Sequence, residues 1–396
     1  MKKSVFTSLF VTVSLYANAQ VGIGTLTPQA GLHVADSSVL FSAPGDVAPS
    51  PSGIPAIGEG RRMMWYADKA AFRVGYLGSF SSTYWNSNNI GNYSFAAGAH
   101  TRASGEASFA VGLATTASGN QSVALGNNGS ATAERAFAFN GTASGVGAVA
   151  IGSGAQATND DAIALGPSSI SGGLGSVVIG PSIAHGPYAV AIGLQNSARG
   201  IFSFALGKNA RAIHHGAMVI SDASAGFSVD SAYSTAINQL TMRFAGGMRL
   251  FTNQGLTTGV ELSPGGGAWN NVSDRRKKEN FEALNAEQVL QKVSQLPVTG
   301  WNYKSQEATT RHIGPMAQDF YAAFGLNGIG NDTTINSSDI DGVNMVAIQA
   351  LEKRTRQLQK ENDQLRAKLE AMDRKMAAIE NMIRAEPRKE AVTASR

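Results

Sequence analysis

Ser94-Phe95-Ala96-Ala97-Gly98 returns as Ser108-Phe109-Ala110-Val111-Gly112, Ser122-Val123-Ala124-Leu125-Gly126 and Ala148-Val149-Ala150-Ile151-Gly152. Ala162-Ile163-Ala164-Leu165-Gly166, Ser176-Val177-Val178-Ile179-Gly180, Ala189-Val190-Ala191-Ile192-Gly193 and Ser203-Phe204-Ala205-Leu206-Gly207 continue the series. The closing glycines lie 14, 14, 26, 14, 14, 13 and 14 residues apart, and a fixed period of this kind is the mark of a repeat architecture. The 26-residue gap holds a degenerate copy, Ala136-Phe137-Ala138-Phe139-Asn140. Asparagine stands in for glycine there because it tolerates the left-handed backbone. Bulky apolar residues fill positions two and four of each copy, so in a strand they share one face. Fourteen residues are too few for a helical hairpin or a propeller blade. They fit one coil of a β-solenoid with two short strands, and such coils must stack to bury anything. The small positions (Ala96, Ala110, Ala124, Ala150, Ala164, Ala191, Ala205) are expected to allow close approach of another surface, such as an identical chain. Nine charged residues fall between Gly91 and Ser221, so a lone thin solenoid would be poorly solvated, and trimerisation would hide the excess.

The rest of the composition agrees. Of 396 residues 45 are glycine and 15% are charged, while 43% are hydrophobic, enough for a buried core. Twelve prolines and no three-residue glycine period exclude collagen. A net charge of +4, with no basic stretch carrying interleaved aromatics, gives no reason to expect nucleic acid. The absence of cysteine excludes disulfides, thiolate metal sites, a cysteine nucleophile and a cysteine-linked lipid anchor.

Lys2 and Lys3 precede an apolar run from Val5 to Tyr16, and Ala17-Asn18-Ala19 supplies a small-x-small cleavage site before Gln20. Residues 1–19 therefore read as a signal peptide, and the protein as exported, extracellular or at the cell surface. No later stretch reaches 18 consecutive apolar residues, so no membrane-spanning segment is expected in the mature chain. The charged end is a poor match for a membrane β-barrel strand, so a self-inserting anchor is not expected. Residues 20–60 read as an N-terminal segment and linker. Gly22-Ile23-Gly24 lacks the amphipathic helix a phosphate loop needs and is followed by Pro28. Residues 61–90 pack Trp65, Tyr66, Phe72, Tyr76, Phe80, Tyr84 and Trp85 into one span, read as a cap that plugs the next domain rather than a sugar- or surface-binding platform.

The repeats, assigned to residues 91–223, resemble the YadA-type head of trimeric bacterial adhesins. The resemblance implies a left-handed parallel β-roll with three chains side by side.

After Ala223 the pattern changes. Leu240 to Phe244 and Met248 to Thr252 read as strands paired across Ala245-Gly246-Gly247, giving a β-hairpin neck over 224–272. Ser273-Asp274-Arg275-Arg276-Lys277-Lys278-Glu279-Asn280-Phe281 follows. A helix-like stretch, Ala286 to Leu296, then ends at Pro297. Trp301-Asn302-Tyr303 reads as a strand, and His312 to Phe320 turns into an amphipathic helix. Leu351, Leu358, Leu365, Met372 and Ile379 lie seven apart, with Ile348, Thr355, Asn362, Leu369, Met376 and Ile383 at the other core position. These heptads indicate a parallel coiled coil over 346–384, with a disordered tail at 385–396. Asn362 at a core position is expected to fix register. The heptads alone do not choose between two and three strands; a trimeric head chooses three.

This half resembles the intramolecular chaperone domain of phage tail spikes and endosialidases, a self-cleaving serine peptidase family. The matching pieces are the Ser273 to Phe281 segment, Trp301-Asn302-Tyr303, His312 to Gln318 and the closing coil. The resemblance implies a small α+β chaperone domain over 273–345. It also implies a cleavage dyad of Ser273 and Lys278 at the scissile bond Val272–Ser273; Asp274, next in the chain, is expected to orient the turn. A serine hydroxyl needs a base to become a nucleophile. Lysine serves only when neutral, about one in 2,500 at pH 7 for an ordinary lysine; like charges and desolvation both favour the neutral amine.

Other constellations carry little. His214 and His215 are adjacent, so their rings point apart in a strand, and no metal site is expected. Asp160-Asp161 reads as a solvated turn. No paired-carboxylate pocket supports glycosidase chemistry, and no cofactor is expected. The reading is thus a mostly β, secreted, trimeric, adhesin-like fibrous protein. Its C-terminal chaperone drives trimer folding and cuts its own chain once. The partner is the same chain, with a host, cell-surface or polysaccharide ligand for the head. The alternative is a non-cleaving trimeric binding module that retains its chaperone.

Overall fold

The computed structural model describes residues 20–224, 231–325 and 332–385. The expected signal peptide and the tail beyond Ala385 lie outside the described residues. The chain divides into two units, meeting at Gly246 and Gly247.

The first unit is a β-roll. Each repeat contributes one long strand to a 13-stranded sheet and, where a second strand forms, one two- or three-residue strand to a 10-stranded sheet. Successive coils pair in parallel, one repeat out: Phe95 with Phe109, Phe109 with Val123, Val123 with Phe137, and on to Phe204 with Met218. The short strands keep the same order, Ala103 beside Ala117 beside Ala131 beside Ala143. Closing glycines are needed for space as well as conformation. Gly98 has φ of 119°, and a Cβ there would lie 2.0 Å from the carbonyl oxygen of Gly112.

The small positions do not face outward, as the sequence had led us to expect. Ala96, Ala110, Ala124, Ala150, Ala164, Ala191 and Ala205 are fully buried inside the roll, opposite Ala103, Ala117, Ala131 and Ala157 of the short strands. Between the two sheets the long strands place alanine, or valine at Val178 and Val219, all fully buried, and the larger residues point outward instead. Serine at position one ties the turn to the buried strand end. Ser108 Oγ donates to Gly105 O and Ser122 Oγ to Gly119 O, each over 2.6 Å.

The outward residues form two unbroken apolar rows. One runs from Trp65 and Phe72 through Phe95, Phe109 and Val149 to Leu240. The other runs from Met63 and Val74 through Val111, Ile151 and Leu206 to Met242. Phe72, Phe95 and Phe109 stack in turn, with centroids 5.6 and 5.0 Å apart. Much of this surface is open in one chain: Phe139 is 42% exposed, Ile179 43%.

The head end is closed by the hairpin Gly60–Tyr66 and Ala71–Leu77, which joins the long sheet beside Phe95–Ala99. Met64, Tyr66, Leu77, Trp85 and Ile90 form its core. Arg73 pairs with Ala96 and so lies on the inward row, at the end of the alanine interior. Its guanidinium, fully buried, donates to Phe72 O, Ser94 O, Ser94 Oγ and Ala103 O over 2.8–2.9 Å. Burial pushes its pKa down to about 10.

The expected pairing of Leu240–Phe244 with Met248–Thr252 does not form. Leu240–Arg243 pairs in parallel with Met218–Ser221, supplying the ladder that the last long strand of the roll would lack. Met248–Phe251 instead starts the second unit, in an antiparallel meander with Gly259–Leu262 and Trp269–Asn271. Asn253 decides this locally: its Oδ1 accepts from Thr257 N and Thr258 N, closing the loop between the first two strands. Helix α1 (Ala286–Gln295) is capped by Asn285 Oδ1 and ends just before Pro297. The strands Thr299–Trp301 and His312–Gly314 pair, α2 (Ala317–Phe324) follows, and the 49-residue α3 (Ser337–Ala385) closes the chain. Helix α1 packs on α3 through Leu290, Ala347 and Ala350, with Glu287 and Arg354 paired at 2.6 Å. Beyond that contact the heptad residues of α3 are open; Leu358 and Leu365 are each 64% exposed.

Candidate self-cleavage site

The chain leaves the meander at Val272, whose N–H donates to Gly259 O over 3.0 Å, one residue past the end of the strand Trp269–Asn271. Asp274 then caps a 3-10 turn, Arg275–Lys277: its Oδ1 accepts from Arg276 N over 3.0 Å. Asp274 O accepts from Lys277 N and Arg275 O from Lys278 N, so the chain doubles back within one turn. The result is direct contact between residues five apart: Lys278 Nζ donates to Ser273 Oγ over 2.8 Å.

The charges of Asp274, Arg275 and Arg276 are engaged. Arg276 lies 2.8 Å from Asp274, and its hydrogen bonds, with that of its own backbone, hold the Asp274 carboxyl below the usual carboxylate range. The same contact raises Arg276. Arg275 stacks over the Phe281 ring at 4.7 Å. Ser273 and Lys278 are themselves exposed in one chain. All four residues expected at the site, Val272, Ser273, Asp274 and Lys278, are therefore contiguous in space. A hydroxyl and an amine sit in hydrogen-bond contact beside a peptide bond that is held by a sheet on one side and a capped turn on the other.

Residues 273–328 match the family described as chaperone of endosialidase. The match opens on Ser273 itself and takes in the dyad, α1 and the strand pair of Trp301 and His312. Residues 103–128, 117–139, 143–169 and 184–210 match the YadA head domain repeat. The chain therefore carries YadA-type head repeats followed by an endosialidase-type chaperone segment, on a mostly β fold. No curated protein matches it. Within the chaperone segment, Trp301 and His312 lie 4.7 Å apart, and His312 Nε2 is 3.0 Å from Gln306 Oε1. These residues brace the strand pair.

One contact near the site had no signal in the sequence. Asn271 Nδ2 donates to Ser338 Oγ over 2.7 Å, joining residues 67 positions apart.

Proposed function

We propose that this protein is an exported, trimeric, adhesin-like fibre whose C-terminal segment folds the trimer and then cuts the chain at Val272–Ser273. The observation that carries the assembly is the pair of apolar rows along the whole long sheet. They are too extensive to leave in water, and the same rows of two further copies closed into a threefold ring would cover them. The heptad face of α3 also needs partner helices, and a trimeric head sets their number at three.

Cleavage rests on the contact of Lys278 with Ser273. As a neutral amine, Lys278 takes the proton from Ser273 Oγ while the oxygen bonds to the Val272 carbonyl carbon. The carbon–nitrogen bond breaks, the Ser273 nitrogen takes the proton, and an ester links Val272 to Ser273 Oγ. Water hydrolyses the ester to a Val272 carboxylate and a free Ser273 hydroxyl. Packing of three chains supplies the desolvation that favours the neutral amine, so cutting follows assembly.

A second reading is favoured by the exposure of both side chains in one chain. A charged Lys278 donating to Ser273 is also a stable turn latch, and then the chaperone segment stays attached to a binding module. Native mass of the purified protein, with a denaturing gel and N-terminal sequencing of the smaller band, separates the two. A fragment beginning at Ser273 from a trimer supports cleavage. A folded trimer of intact chains leaves the chaperone without the peptidase, and a monomer removes both.

A further inference from the structure

The contact of Asn271 with Ser338 crosses the cut. Asn271 precedes the scissile Val272 and stays with the head product, whereas Ser338 leaves with the chaperone. Asn271 is fixed in the sheet by its pairing with Val260, and Val272 by its bond to Gly259 O. Ser338 is fixed in the first turn of α3, where Asn336 Oδ1 accepts from Ser338 N over 2.9 Å and Asn336 O accepts from Asp339 N and Ile340 N. The residue next to Val272, one position upstream of the scissile bond, is thus tied by its side chain to the start of the helix that carries the heptads.

We propose that Asn271 is a positioning residue that couples assembly of α3 to cleavage, through Ser338; this rests on the self-cleavage reading above. Attack by Ser273 needs the Val272 carbonyl carbon within about 3–3.5 Å of Oγ, and a misplacement of about 1 Å costs on the order of a hundredfold in rate. In one chain Asn271 and Ser338 are both exposed, so water competes for their bond. Among the described residues, α3 beyond its contact with α1 is open in that state. When three α3 helices pack, the helix start is held, Ser338 becomes a fixed acceptor, and the strand end comes to rest with the carbonyl over Ser273. After the cut, one neutral hydrogen bond is weak enough to release the fragment.

The test is pulse-labelled synthesis of the full chain in a cell-free system. Trimer is followed on native gels and cutting on denaturing gels, for wild type, N271A, S338A, the double variant and the exchange N271S/S338N. Each single variant should cut about tenfold or more slowly while trimer forms at the wild-type rate. The double variant should be no slower than the slower single one, and the exchange should restore cutting. The pH profile of cutting should keep its midpoint, since Lys278 is untouched. Either single variant cutting at the wild-type rate overturns the proposal, as does slowing matched by an equal loss of trimer. Wild type that forms trimer and stays whole, like S273A, removes the cleavage reading and this coupling with it. Cutting by wild type and N271A alike removes the coupling alone.

Discussion

The side-chain oxygen of Asn140 accepts the backbone N–H of Asn127 over 2.6 Å, in the place where other coils put a glycine carbonyl. A Cβ on Gly112 would meet the Gly126 carbonyl oxygen at 2.0 Å; on Gly126 it would meet Asn140 Oδ1 at 2.1 Å. The coil from Ala136 to Ala148 is two residues shorter than the 14-residue repeat. Asparagine repairs the ladder there while holding φ of 54°. Asn140→Gly should keep the backbone and lose the acceptor, a cost of about 1 kcal/mol. Asn140→Ala should add a left-handed penalty of about 1–2 kcal/mol. Urea midpoints of the head should fall in that order.

The inward and outward positions should respond oppositely. Ala150→Leu inserts bulk into a filled interior and should destabilise the roll by about 1–3 kcal/mol or more, seen as loss of β circular dichroism on mild heating. Ile151→Asp with Ile179→Asp should leave the coil folded and abolish the trimer, read as monomer mass in native conditions. A trimer surviving the double aspartate variant would place the interface elsewhere.

Arg73 closes the roll by adding a second donor to Ser94 O and Ala103 O, which also accept from Phe72 N and Gly91 N. Arg73→Met should leave Ser94 O and Ala103 O buried without those donors and cost about 2–5 kcal/mol. Arg73→Lys should recover little, because a compact ammonium cannot span the acceptors that a planar guanidinium reaches. Hydrogen exchange over residues 61–103 should rise first in both.

At the cleavage site, Ser273→Ala should stop cutting outright and Lys278→Ala should slow it by about 10²–10⁴-fold. Both chains should still fold and assemble, since neither residue is in a core. Asp274→Ala should slow cutting severalfold by loosening the turn that returns Lys278. Denaturing gels of the purified trimers read all three.

Removing Ile348 to Ile383 should prevent correct assembly of the head. The repeats are so alike that a slip of one coil costs little, and only an outside template sets the three chains level. Soluble trimeric head from that deletion, measured by sedimentation, would show that the coil is not the template.

What the sequence settled by itself is local. Strand period, the 14-residue return, the left-handed positions and the heptads each depend on residues a few places apart. The pairing of Ser273 with Lys278 came from the family resemblance, since a spacing of five shares no helix face; the turn capped by Asp274 is what brings them together. The tertiary structure decided what local pattern leaves open. Alanine on one side of most strands and valine, isoleucine or phenylalanine on the other give two apolar faces, so polarity cannot say which is inside. The narrow gap between the sheets decides it, because it takes alanine or at most valine, as at Val178 and Val219, from the long strands of the repeats. Leu240–Arg243 joins the roll and not its neighbour Met248–Phe251, because an unpaired sheet edge offers a complete ladder. Asn271 meets Ser338 across 67 residues, a separation over which no spacing rule operates and only the packed chain brings donor to acceptor.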